Sequence, residues 1–108
     1  MQHSSRICTR NSVPTYEAED RFWREFRRLS LEDQRRFRDA RRELVSDLAT
    51  RAFRPSLRVQ RYQGDPGVWE MTWAPDGRAL FRYGEERTPG SPHIVWLRIG
   101  SHDIFRTP

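Results

Sequence analysis

The apolar residues of this chain change their spacing once, near Pro55, and that change limits the fold more than any single motif. Upstream, Phe22, Phe26 and Leu29, then Phe37, Ala40, Leu44 and Leu48, recur every three or four residues, which is the period of one helix face. Downstream, "LRVQRY" alternates Leu57, Val59 and Arg61 against Arg58, Gln60 and Tyr62. "VWEMTW" alternates Trp69, Met71 and Trp73 against Glu70 and Thr72. Period two is the mark of half-buried strands. The expected fold is α+β: an N-terminal helical hairpin packed on a small, mainly antiparallel sheet of about four strands.

The first helix is expected over roughly 16–29, with Thr15 as N-cap and Glu17, Glu19 and Asp20 in the first turns, where the helix dipole favours anions. Ser30 interrupts it and offers a second N-cap, with Asp33 three residues on, and the second helix then runs to about Phe53. Its arginines, Arg35, Arg36, Arg38, Arg41 and Arg42, read as a solvated face with partners such as Asp39 and Glu43. "QGDPG" links the first two strands. "APDG" is a turn leading into "RALFRY", since proline sets one turn dihedral and glycine permits positive φ. "EERTPGSP" is a longer loop before "HIVWLRIG", the most apolar strand and the candidate for the sheet interior. Residues 1–14 lack a sustained period and read as a flexible lead-in to a single domain over 15–108.

At 108 residues, a modest core rich in tryptophan and phenylalanine is the expectation. All 20 basic residues are arginine, which a GC-rich coding bias also produces, but the net charge of +5 attracts polyanions whatever its origin. With one cysteine, Cys8, an intramolecular disulfide is impossible. No stretch has the apolar length of a signal peptide or a membrane span, so the reading is a cytoplasmic protein with no membrane association.

The segments "VWEMTWAPDGRALFRYG" and "IVWLRIGSHDIF" carry a resemblance. The first resembles the Trp/Tyr-Glu-x-x-x…Gly-Arg-x-x-x-Tyr hairpin of the RelE/ParE superfamily of bacterial toxin–antitoxin toxins, and the second its closing strand and tail. With the helices, the similarity covers about residues 16–106 and is nearest to the RelE and HigB-like branches. It implies a compact toxin silenced by a cognate antitoxin. RelE-type members are mRNA interferases that cut messenger RNA at the ribosome without a metal, whereas ParE-type members poison DNA gyrase. A third possibility is a basic nucleic-acid-binding relative that has lost its chemistry.

Metal-free RNA cleavage needs a base for the 2′-OH, charge stabilisation on the phosphorane and a proton for the leaving 5′-oxygen. Arg78 matches the hairpin arginine that RelE-like nucleases place at the scissile phosphate, and a planar guanidinium suits that charge. His102, in the tail, is the proton-transfer candidate. Glu70 serves as base if it shares the face of Arg78; the alternative is an ion pair with Arg58, Arg61 or Arg82. Arg58, Arg61, Arg82, Arg98 and Arg106 are candidates to line an RNA-binding trough, with Phe105 in the tail where many RelE-like toxins carry a tyrosine. Trp69, Trp73 and Trp96 either stack bases or belong to the core. His3, His93 and His102 lack metal-ligand spacing, so neither metal nor cofactor is expected. The expected partners are an antitoxin, mRNA and the ribosome.

Overall fold

The computed structural model describes residues 13–106. Of the lead-in expected over residues 1–14, all but Val13 and Pro14 lies outside the described residues. The elements are β1 (Thr15–Ala18), α1 (Asp20–Arg28), α2 (Leu31–Leu48), a 3-10 turn (Pro55–Leu57), β2 (Gln60–Arg61), β3 (Trp69–Thr72), β4 (Gly77–Tyr83), β5 (His93–Ser101) and a tail 3-10 turn (His102–Arg106). The sheet has the order β1-β5-β4-β3-β2. The parallel pairing of β1 with β5 makes it mixed, while the other neighbours run antiparallel.

Five strands therefore stand where about four are expected, and the extra one corrects the start of the first helix. Thr15 is not an N-cap: Thr15 and Tyr16 are good strand formers, and their segment pairs with His93–Trp96. The Thr15 N–H donates to the Pro92 carbonyl at 3.0 Å and the Glu19 N–H to the Trp96 carbonyl at 3.0 Å, which satisfies the outer edge of β5. Helix α1 then starts at Asp20, the one acidic residue in its first turn, and spans nine residues.

The cap expected at Ser30 is present, its side chain accepting from the Asp33 N–H at 3.1 Å. Helix α2 stops at Leu48 rather than near Phe53, because Arg51 takes a left-handed conformation (φ 56°) and Asp47 folds the following chain back. The Asp47 carboxylate accepts from the Arg54 N–H at 3.0 Å and from its guanidinium at 2.9 and 3.0 Å. The strand expected over 57–62 shrinks to Gln60–Arg61, since Pro55 opens a 3-10 turn that the Arg58 N–H closes on the Pro55 carbonyl at 3.0 Å.

Both helices cover one face of the sheet over an aromatic core. Phe22, Phe37, Trp96 and Phe81 interlock there, with Phe37 and Trp96 ring centroids 5.1 Å apart, and Leu44, Leu48, Met71, Ile94 and Ile99 fill around them. β5 lies inside the sheet, as its composition indicates. A register shift between Leu80 and Phe81 leaves Leu97 unpaired, so Trp96 and Ile99, three residues apart, both reach the core. The "APDG" turn forms, with the Gly77 N–H on the Ala74 carbonyl at 2.9 Å. Glycine is needed there for close approach and not for positive φ: a Cβ on Gly77 would lie 2.5 Å from the Trp73 indole.

Candidate functional site

The second face of the sheet is free of α1 and α2. Alternation along β4 turns Arg78, Leu80 and Arg82 to this side, opposite the core residues Ala79 and Phe81. Cross-strand register sets Thr72 against Arg78, Glu70 against Leu80 and Gln60 against Glu70, while Arg78 faces Gly100 of β5. The tail turn crosses this face. Ile104 packs on Leu80 and Val68 in a second small cluster, with Tyr62, Leu97 and Phe105 around it. Gly100 permits the crossing, since a Cβ there would meet Ile104 Cγ2 at 2.6 Å.

Between the strands and the tail lies an open cavity of about 430 Å³ lined by Arg58, Val59, Gln60, Glu70, Thr72, Arg78 and His102. All three residues read from the sequence as catalytic thus share one cavity. Nη1 of Arg78 donates to the turn carbonyls of Ala74, Pro75 and Gly77 at 3.4, 3.3 and 3.0 Å. Among the described residues no carboxylate forms an ion pair with this guanidinium, so its charge is held by dipoles and left for an anion. Glu70 is half-buried, and no described ion pair joins it to Arg58, Arg61 or Arg82. His102 is exposed and lies edge to face with Phe105, the ring centroids 4.9 Å apart. Arg58 joins the lining from a left-handed conformation (φ 47°, ψ 46°), a non-glycine geometry that costs on the order of 1–3 kcal/mol. A guanidinium, a carboxylate and an imidazole around one open volume can bind a phosphodiester and move protons on either side of it.

The remaining trough residues are dispersed. Arg61 lies over the Trp69 ring at 5.2 Å and donates to the Pro66 carbonyl at 3.2 Å. Arg82 lines a separate cavity of about 350 Å³ with Glu17, Arg87 and His93. Arg98 is held by Glu25 of α1, Nη2 to Oε2 at 2.8 Å, with its side chain 11% exposed. Phe105 stacks on Tyr62 at 5.3 Å, and the side chain of Arg106 lies outside the described ones. Trp73 and Trp96 belong to the core, and Trp69 packs against it.

One cluster was not foreseen. The His93 imidazole, 3% exposed, bridges Thr15 Oγ1 at 2.7 Å from Nδ1 and Glu17 Oε2 at 3.1 Å from Nε2, and Arg87 donates to the same Glu17 oxygen at 3.0 Å. The hydrogen bond from His93, then that from Arg87, holds the Glu17 carboxyl below the usual carboxylate range. Only the parallel pairing of β1 brings these residues together, which no local pattern announces. Among the described residues no three His, Cys, Asp or Glu side chains group to hold a metal ion, and no helix is long and apolar enough to cross a membrane.

Neither a family model nor a curated protein matches this sequence. Solved structures do. The E. coli DinJ–YafQ toxin–antitoxin complex matches with a TM-score of 0.60 at 14% identity over 85% of this chain and 96% of the other. A copper-bound mutant toxin from Helicobacter pylori gives 0.59 at 19% identity over 83% and 96%, and a YoeB/ParE toxin from Agrobacterium tumefaciens 0.58 at 15% over 82% and 98%. With two helices on one face of a mixed five-stranded sheet and a tail crossing the other, the chain shares the fold of these solved toxins.

Proposed function

We propose that the chain is the toxin of a toxin–antitoxin pair and that it cuts translated mRNA without a metal ion. The observation that carries this reading is the cavity shared by Glu70, Arg78 and His102 on the helix-free face. An RNA phosphodiester seated there presents its non-bridging oxygens to the Arg78 guanidinium, whose turn contacts aim it before substrate arrives. Glu70 takes the proton of the 2′-OH as the 2′-oxygen bonds to phosphorus. His102, protonated, gives its proton to the 5′-oxygen as the P–O5′ bond breaks. The products are a 2′,3′-cyclic phosphate and a free 5′-hydroxyl, and no water or metal enters the step. Arg58 at the rim adds a second cation for the flanking backbone.

The antitoxin partner follows from the DinJ–YafQ complex among the similar structures and from this chain's net charge of +5, which favours an acidic covering segment. The test is induced expression in a bacterial host with transcript ends mapped by primer extension, for the wild type beside Arg78→Ala and His102→Ala. Translation-dependent cuts that disappear in both variants support the reading. Removing Arg78 is expected to lower cleavage at least about 100-fold, the scale of losing one transition-state donor. Growth arrest with intact transcripts would replace the nuclease by a gyrase-type toxin, and absence of arrest by an inactive relative.

A further inference from the structure

His102 is exposed, whereas Glu70 and Arg78 are half-buried, and it sits on a short 3-10 turn, an element with little rigidity of its own. Proton transfer to a departing oxygen nevertheless demands a fixed imidazole, because misplacement by about 1 Å costs on the order of 100-fold in rate. Something outside the cavity has to hold the ring. The contacts of the tail identify it. Phe105, three residues on, meets the His102 ring edge to face at 4.9 Å and an interplanar angle of 81°. The same phenyl ring stacks on Tyr62 at 5.3 Å and 27°.

Tyr62 in turn is held by its own loop. The loop after β2 folds over it, with the Tyr62 N–H on the Val68 carbonyl at 2.8 Å and the Asp65 N–H on the Tyr62 carbonyl at 3.3 Å. Gly64 lies so close that a Cβ there would sit 2.6 Å from the Tyr62 ring. The Gly64 backbone thus closes on the Tyr62 ring, and Val68, Leu80 and Ile104 form the apolar cluster beside it.

We propose that Tyr62 and Phe105 are positioning residues that hold the His102 imidazole at the cavity, and that Tyr62 acts through its ring and not through its hydroxyl. This assigns Phe105 away from base stacking, since its ring is already engaged by Tyr62 and His102. It rests on the nuclease reading for its catalytic consequence, but the positioning itself is a property of the folded chain. It also accounts for a tail phenylalanine where a hydroxyl would serve no purpose: the proton comes from His102, and the tail ring supplies only a surface.

The experiment compares wild type, Tyr62→Phe, Tyr62→Leu and Phe105→Leu by two readouts. The first is the proton spectrum of the His102 ring, whose resonances the adjacent Phe105 ring current is expected to displace. The second is single-turnover cleavage of RNA on translating ribosomes, with binding and rate separated. Tyr62→Phe should keep both the displaced resonances and the rate. Tyr62→Leu and Phe105→Leu should return the resonances toward those of an unstacked histidine and lower the rate roughly 10–100-fold, with RNA affinity changed less than about 3-fold. A rate loss in Tyr62→Phe equal to that in Tyr62→Leu would overturn the proposal in favour of hydroxyl chemistry. Unmoved His102 resonances in Tyr62→Leu, in protein that keeps its far-UV spectrum, would overturn it outright. If the wild type does not cut RNA at all, the nuclease reading falls while the resonances still decide the positioning.

Discussion

Glu25 supplies the sharpest test of how the sheet edge is held. Beyond Ala18 the strand β1 no longer covers β5, and the carboxylate of α1 takes over: Glu25 accepts from Arg98 Nε at 2.9 and 3.1 Å, from Arg98 Nη2 at 2.8 Å and from the Ile99 N–H at 3.1 Å. Arg98 also donates to the Ile104 carbonyl at 3.3 Å, so the same pair ties the helix to the tail turn. The two side chains are 17% and 11% exposed, which places them between a surface pair and a fully dry one. Removing one partner of a buried pair costs about 3–5 kcal/mol, mostly because the other charge loses its compensation, whereas an exposed pair is worth about 1 kcal/mol or less. Residual water access argues for the lower end of the first range, so Glu25→Ala is expected to cost about 3 kcal/mol. For a domain of this size that lowers Tm by roughly 12 °C or more. Glu25→Gln keeps an acceptor for the Ile99 N–H and loses the charge, and should fall between the two. Urea unfolding followed by circular dichroism reads the difference, and added salt should change it little, since partly buried pairs are poorly screened. A cost below about 1 kcal/mol for Glu25→Ala would refute the reasoning and make the pair a surface decoration.

Two further outcomes follow from single contacts. The Asp47 carboxyl is held below the ordinary carboxylate range by its hydrogen bonds from the Arg54 side chain, so its contribution is fully present above the unfolded value and is lost as pH falls through the folded one; Glu17 behaves alike. Stability should therefore decline below about pH 4, and Asp47→Asn should flatten that decline in a pH series of urea midpoints while lowering stability at pH 7. Gly100→Ala places a methyl 2.6 Å from the β-branched Ile104 and should lift the tail turn, costing on the order of 1–3 kcal/mol and reducing RNA cleavage more than thermal stability accounts for. Unchanged cleavage in this variant would show that the tail need not lie on Gly100.

The parts of the molecule legible in the sequence are those set by local period and by sequence neighbours. The α2 stripe of Phe37, Ala40, Leu44 and Leu48 is buried as its spacing requires, and Ser30 caps the helix that follows it. The turn before β4 forms because Ala74, Pro75 and Gly77 encode it within four residues, and Arg78 follows the turn directly. The gathering of Glu70, Arg78 and His102 was legible for a related reason: Glu70 and Arg78 belong to one hairpin whose alternation fixes their face, and His102 lies two residues past the partner of Arg78. What stayed illegible depends on partners distant in the chain. Thr15–Ala18 contains Glu17 and runs into Glu19 and Asp20, which read equally well as a helix start, and only the free edge of β5, some 78 residues away at His93, selects the strand. Arg98 fits the alternation of a basic trough, yet a helix 73 residues upstream claims its charge. Charge alone could not tell an arginine that faces an open cavity from one committed to the fold. The carboxylate within reach decides that, and it leaves Arg78 and Arg58 as the cations facing the cavity.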